Sequence, residues 1–78
     1  MPTILREDGF RFYFFSNEGN EPPHVHVSRG RGAAKIWLDP LRIAYTEGFN
    51  PPETRRLREI VFANRAMFVR RWYEHFAR

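Results

Sequence analysis

Residues 24–38 read His24-Val25-His26-Val27-Ser28-Arg29-Gly30-Arg31-Gly32-Ala33-Ala34-Lys35-Ile36-Trp37-Leu38, and they decide the fold. Valine, isoleucine and tryptophan favour strands, and side chains of one type recur at every second position. Arg29-Gly30-Arg31-Gly32 interrupts the pattern with turn chemistry, so His24 to Ser28 and Ala33 to Leu38 form two strands folded back on each other. Strands joined by so short a turn pair antiparallel. Asp39-Pro40 ends the second of them, and Leu41 to Thr46 follows as a plausible last strand. On the N-terminal side, Asn17-Glu18-Gly19-Asn20-Glu21-Pro22-Pro23 is a loop, preceded by a strand from Phe10 to Ser16. Asp8-Gly9, both tolerant of positive φ, turns that strand back onto Thr3 to Arg6. The first half is therefore an antiparallel meander of four to five short strands.

The second half predicts one long C-terminal helix packed on one sheet face. Asn50 can cap it, Pro51 suits its first turn and Glu53 completes a capping box. Leu57, Ile60, Val61, Asn64, Phe68, Trp72 and His75 share one face at 3.6 periodicity. The helix could run to about Ala77, roughly 40 Å at 1.5 Å per residue. The expected architecture is a single α+β domain over residues 1–78. Strand alternation puts Phe12, Phe14, Val25, Val27, Ile36 and Leu38 under the helix. The opposite face then carries Arg11, Tyr13, His24, His26, Lys35 and Trp37, turned outward.

Composition narrows the classes. There is no cysteine, hence no disulfide and no thiolate metal site. Residues 1–8 contain no long apolar stretch, so neither a signal peptide nor a membrane span is read and the cytoplasm is the expected compartment. Of 13 basic residues only Lys35 is lysine, and the net charge is +4. Arginine presents a planar fork to phosphate, carboxylate and aromatic faces, which suits nucleic acid or an acidic protein. No cofactor motif is read.

The chemistry-bearing features each have a plainer alternative. His24 and His26, two apart on a strand, point the same way. They could ligate a metal, or act as acid and base on a phosphodiester, or be hydrogen-bonded packing residues. The sequence shows no evident third ligand; Asp39, Glu18, Glu21 and His75 are the possible ones. Arg29 and Arg31 could bring guanidinium and backbone N–H groups to a phosphate, or be solvated turn charges. Pro2 could serve as a terminal-amine base of the tautomerase kind, or be a tolerated proline at a strand start, and the remaining pattern is wrong for the tautomerase βαβ fold. Phe62, Ala66, Val69 and Tyr73 form a second apolar helix stripe, flanked by Arg55, Arg58 and Arg65. This is a docking seam for an acidic partner or for a second copy through Glu59 and Glu74, or else scattered surface groups.

Four stretches carry a resemblance: residues 1–6, residues 10–19, Glu21-Pro22-Pro23-His24-Val25-His26-Val27 and Ala34-Lys35-Ile36-Trp37-Leu38-Asp39-Pro40. They resemble the bacterial family called "domain of unknown function 4160" over essentially the whole chain. The resemblance implies a small stand-alone prokaryotic protein, of a kind often proposed to form toxin–antitoxin-like gene pairs with the family called "domain of unknown function 2442". It brings no established catalytic residues.

Three functions are expected in turn. The first is one component of such a pair, binding a small, acidic, neighbour-encoded partner. The second is a small ribonuclease-like toxin. There His24 and His26 act as base and acid, Arg29, Arg31 or Arg11 stabilise the phosphorane, and Tyr13 or Trp37 stack bases. The third is binding of RNA or DNA without chemistry, through Arg11, Tyr13, Lys35 and Trp37. A metal-binding domain built on the His-x-His pair stands beside them.

Overall fold

The computed structural model describes residues 3–76. Five strands, β1 (Thr3–Glu7), β2 (Phe10–Tyr13), β3 (His24–Arg29), β4 (Gly32–Leu38) and β5 (Leu41–Glu47), form one open antiparallel sheet in chain order. Two helices follow, α1 (Pro51–Ala63) and α2 (Arg65–Phe76). The turns follow from local chemistry. Asp8 and Gly9 both take positive φ, 54° and 79°, between β1 and β2, and Gly30 (φ 56°) turns β3 into β4. The Pro2 expectation lies outside the described residues.

Register places the expected residues on the helix side. Phe12 pairs with Val27, Val25 with Ile36 and Val27 with Ala34. Together with Phe10, Phe14 and Leu38 they are buried against Leu57, Ile60, Val61, Phe68 and Trp72 of the helices. Phe12 meets Phe68 at 5.6 Å between ring centroids, and Phe14 meets Trp72 edge-on at 5.2 Å. Phe14 lies beyond β2, which ends at Tyr13 rather than Ser16, yet its ring still enters the core.

The capping box forms as read. The Glu53 N–H donates to Asn50 Oδ1 and the Asn50 N–H to Glu53 Oε1, each at 2.8 Å. The single long helix is corrected to two segments that meet at Asn64. The Asn64 side-chain amide donates to the Ile60 carbonyl at 2.8 Å, alongside the Asn64 backbone N–H at 3.0 Å. Asn64 itself leaves the helical backbone, with φ −109° and ψ 12°, and its side chain competes for that carbonyl, which interrupts the helix there. At this break, Arg65 fixes the start of α2 to the sheet by donating to the Leu38 carbonyl and, at 2.9 Å, to Asp39 Oδ1. Past the break the buried positions are Phe68 and Trp72, with Phe76 next at the same spacing and partly buried. His75 is exposed, its ring at the edge of Phe14 and Phe76 (6.0 and 4.6 Å between centroids), which corrects its expected place on the core face.

Candidate functional site

The strand phase of the histidines is as read, but their exposure is not. Tyr13 pairs with His26 and His26 with Lys35, so the His26 imidazole belongs to the face opposite the helices; His24 pairs with Trp37 at the very start of β3, in the same strand phase, and its ring also reaches Trp72 of α2. Even so, His24 is 0% and His26 4% exposed. Residues 14–23 fold back over this end of the sheet and close it. Phe14 anchors the segment in the core, and Phe15 packs edge-on against the His26 ring at 4.3 Å. The Glu21 N–H donates to the Glu18 carbonyl at 3.1 Å, and the Leu38 N–H to the Pro23 carbonyl at 3.0 Å, which returns the chain to the sheet. Gly19 lies against the Phe76 ring, where a Cβ would sit 2.8 Å from its Cδ1.

This fold-back delivers Glu18 to both imidazoles. Glu18 Oε1 lies 2.8 Å from His24 Nε2 and 2.8 Å from His26 Nε2. The far nitrogen of His24, Nδ1, donates to the Pro22 carbonyl at 3.0 Å. Around these atoms the rings are clamped. Tyr13 stacks on His26 at 5.6 Å, and His24 sits between Trp37 at 5.2 Å and Trp72 at 4.7 Å. Among the described residues no buried side-chain nitrogen or oxygen lacks a partner. Burial holds the His26 imidazole below its ordinary range, and the Glu18 hydrogen bond and charge oppose this without reversing it. Burial alone would push the Glu18 carboxyl up. The hydrogen bonds from His24 and His26, and their charge, outweigh it and hold Glu18 below its usual value.

The other residues read from sequence fall into place around this cluster. Arg11, Tyr13, Lys35 and Trp37 do share the face, half-buried, but their groups are engaged with one another. The Arg11 guanidinium lies over Tyr13 at 4.3 Å and donates to Thr3 Oγ1, and Lys35 Nζ lies over Trp37 at 4.4 Å and pairs with Glu21 at 2.8 Å. Arg29 is not a turn charge awaiting phosphate. It pairs with Glu53 at 2.7 Å, donates to the Asp8 carbonyl and covers the Phe10 ring at 3.9 Å. Arg31 is exposed in the same turn, remote from the histidines along the strand. Acid–base chemistry on RNA needs both imidazoles within hydrogen-bond reach of the substrate. Here each Nε2 already meets Glu18 beneath the folded segment, so the ribonuclease reading loses the outward-facing pair on which it was built.

Of the four possible third ligands, the structure brings in Glu18. Asp39 pairs with Arg65, Glu21 Oε1 stands 3.9 Å from His24 Nδ1 on the far side of the ring, and His75 is exposed. Glu18 sits in an Asn/Gly/Pro loop without periodicity, so no spacing rule singles it out. The clearest sequence signal is the pair Phe14-Phe15, whose opposite-facing rings pin both sides of the loop at its start.

An open five-stranded meander with two covering helices and a carboxylate-bridged histidine pair under a loop defines a small α+β domain class. The chain belongs to the family described as "Domain of unknown function (DUF4160)", whose model matches residues 9–73. No curated protein and no solved structure matched the chain in the corresponding comparisons. Among the described residues no helix is long and apolar enough to cross a membrane.

Proposed function

We propose that this protein is a binding module that docks a small acidic protein through the outer face of its helices. The observation that carries this reading is an exposed aromatic flanked by guanidinium groups. Phe62 is 72% exposed and borders a cleft of about 370 Å³ together with Leu41, Arg55, Arg58 and Glu59. Tyr73 is 60% exposed further along, Ala66 is exposed, and Val69 is half-buried against the core. Exposed aromatics rimmed by arginine are the composition of interface hot spots, and the charge selects an acidic partner. Arg65, expected to flank this seam, instead turns inward to Leu38 and Asp39.

The family resemblance supports a cytoplasmic bacterial setting and a neighbour-encoded partner, as in a toxin–antitoxin-like pair, with the "domain of unknown function 2442" family as the first protein to try. A pull-down with the neighbour-encoded protein tests the reading. Phe62→Ser with Tyr73→Ser leaves the fold intact and weakens binding at least ~30-fold, the scale of losing a ≥2 kcal/mol hot spot. Full retention by the double variant, or no retention by the wild type, overturns it. Self-association through the same face would instead show as a dimer in sedimentation.

A further inference from the structure

We propose that Glu18, His24 and His26 form a binding site for a divalent transition-metal ion of the Zn²⁺ class, with Glu18 Oε1 and the two Nε2 atoms as ligands. This rests on the geometry of the cluster alone and is independent of the docking face.

The argument begins at the Pro22 carbonyl. A carbonyl oxygen only accepts, so the 3.0 Å contact requires a hydrogen on His24 Nδ1. In a neutral imidazole this leaves Nε2 as the lone-pair nitrogen, and that lone pair meets Glu18 Oε1 at 2.8 Å. Two acceptors face each other, and something positive has to lie between them. A proton fulfils the need, and so does a metal ion. A backbone carbonyl holding the outer nitrogen of a histidine is also the arrangement that orients metal-ligating imidazoles.

The rest of the cluster fits the same occupant. His26 Nε2 meets the same oxygen, and the three donor atoms lie within 4.8 Å of one another. Two imidazole nitrogens and one carboxylate oxygen, with no sulfur, suit Zn²⁺ and its neighbours rather than Ca²⁺ or Mg²⁺, which demand oxygen-rich shells. Bonds of ~2.0–2.1 Å at tetrahedral angles place ligand atoms ~3.3 Å apart, so the 2.8 Å contacts open by about half an ångström. The two Nε2 atoms, up to 4.8 Å apart, have to close to the same spacing, so the adjustment is shared between Glu18 in its turn and rotation of the imidazoles between Tyr13, Phe15, Trp37 and Trp72. Three protein ligands leave the fourth position for water, and the 15% exposure of the Glu18 side chain marks the way in.

Titration of the intact chain with Co²⁺ and with Zn²⁺ tests the proposal. One Co²⁺ per chain is expected, with the intense visible absorption of a tetrahedral site, displaced by Zn²⁺. Zn²⁺ should also shift the Nε2 resonances of His24 and His26. Glu18→Gln should weaken Zn²⁺ binding at least ~10-fold, whereas His75→Ala, an exposed histidine outside the three-residue cluster, should leave it unchanged. Absence of stoichiometric binding to the wild type overturns the proposal, as does binding that disappears with His75→Ala. If Glu18→Gln fails to fold, the wild-type Nε2 resonances decide: unmoved by Zn²⁺, they refute the site.

Discussion

Replacing Glu18 with alanine removes the one oxygen to which both buried imidazoles turn. Leaving a buried polar group without its partner costs ~1–3 kcal/mol, and two such groups are affected. Water entering from the 15%-exposed side of Glu18 recovers part of this, so the expected loss is ~3 kcal/mol. A 78-residue domain has roughly 4–12 kcal/mol of stability in total, so the loss is a large fraction. In a thermal scan it corresponds to a fall of roughly 12–24 °C in Tm. Glu18→Gln retains one acceptor oxygen for the His26 N–H and should cost about half as much. Urea unfolding followed by tryptophan fluorescence is the suitable assay, because Trp37 and Trp72 both lie against His24 and report on the cluster directly. Glu18→Ala within ~0.5 kcal/mol of the wild type would refute the reasoning.

Other consequences are equally open to measurement. Gly32→Ala should destabilise by ~1–3 kcal/mol, because its Cβ would fall 2.1 Å from Cε1 of Phe49, whose ring packs edge-on against Phe10; an unchanged urea midpoint contradicts this. The Asn50 backbone N–H and the Arg29 guanidinium hold the Glu53 carboxyl below its ordinary value. Native Glu53 therefore binds fewer protons than unfolded Glu53 near pH 4.5, and its contribution is present above that value and lost as pH falls through the lowered folded one. Glu53→Gln preserves the capping box but should flatten the loss of stability below pH 4.5, and parallel acid limbs in wild type and variant would exclude this coupling.

The sheet was legible where period and turn chemistry agree. Phe12, Val25, Val27, Ile36 and Leu38 alternate strictly, and Asp8-Gly9 and Gly30 supply the positive φ their turns need, so strand order and the buried face follow from local rules. The cap at Asn50 was legible for the same reason. The helix break was not, because Asn64 fits a helical period while its side chain competes for the Ile60 carbonyl. At the site, the phase of His24 and His26 could be read, but their burial could not. Burial depends on residues 14–23 returning over the sheet, and that return is set by contacts of Phe15, Glu18 and Gly19 that no periodicity encodes. The consequence is functional: groups that look like an open basic-aromatic platform in sequence are a closed cluster in the fold, with the exposed arginine-rimmed surface on the helices instead.

Acylation of the imidazoles by diethyl pyrocarbonate, resolved residue by residue in a mass spectrometer, tests the closed cluster most directly. In the native protein His75 should be modified while His24 and His26 resist until the chain is unfolded. Native His24 and His26 reacting at the rate of His75 would contradict the account.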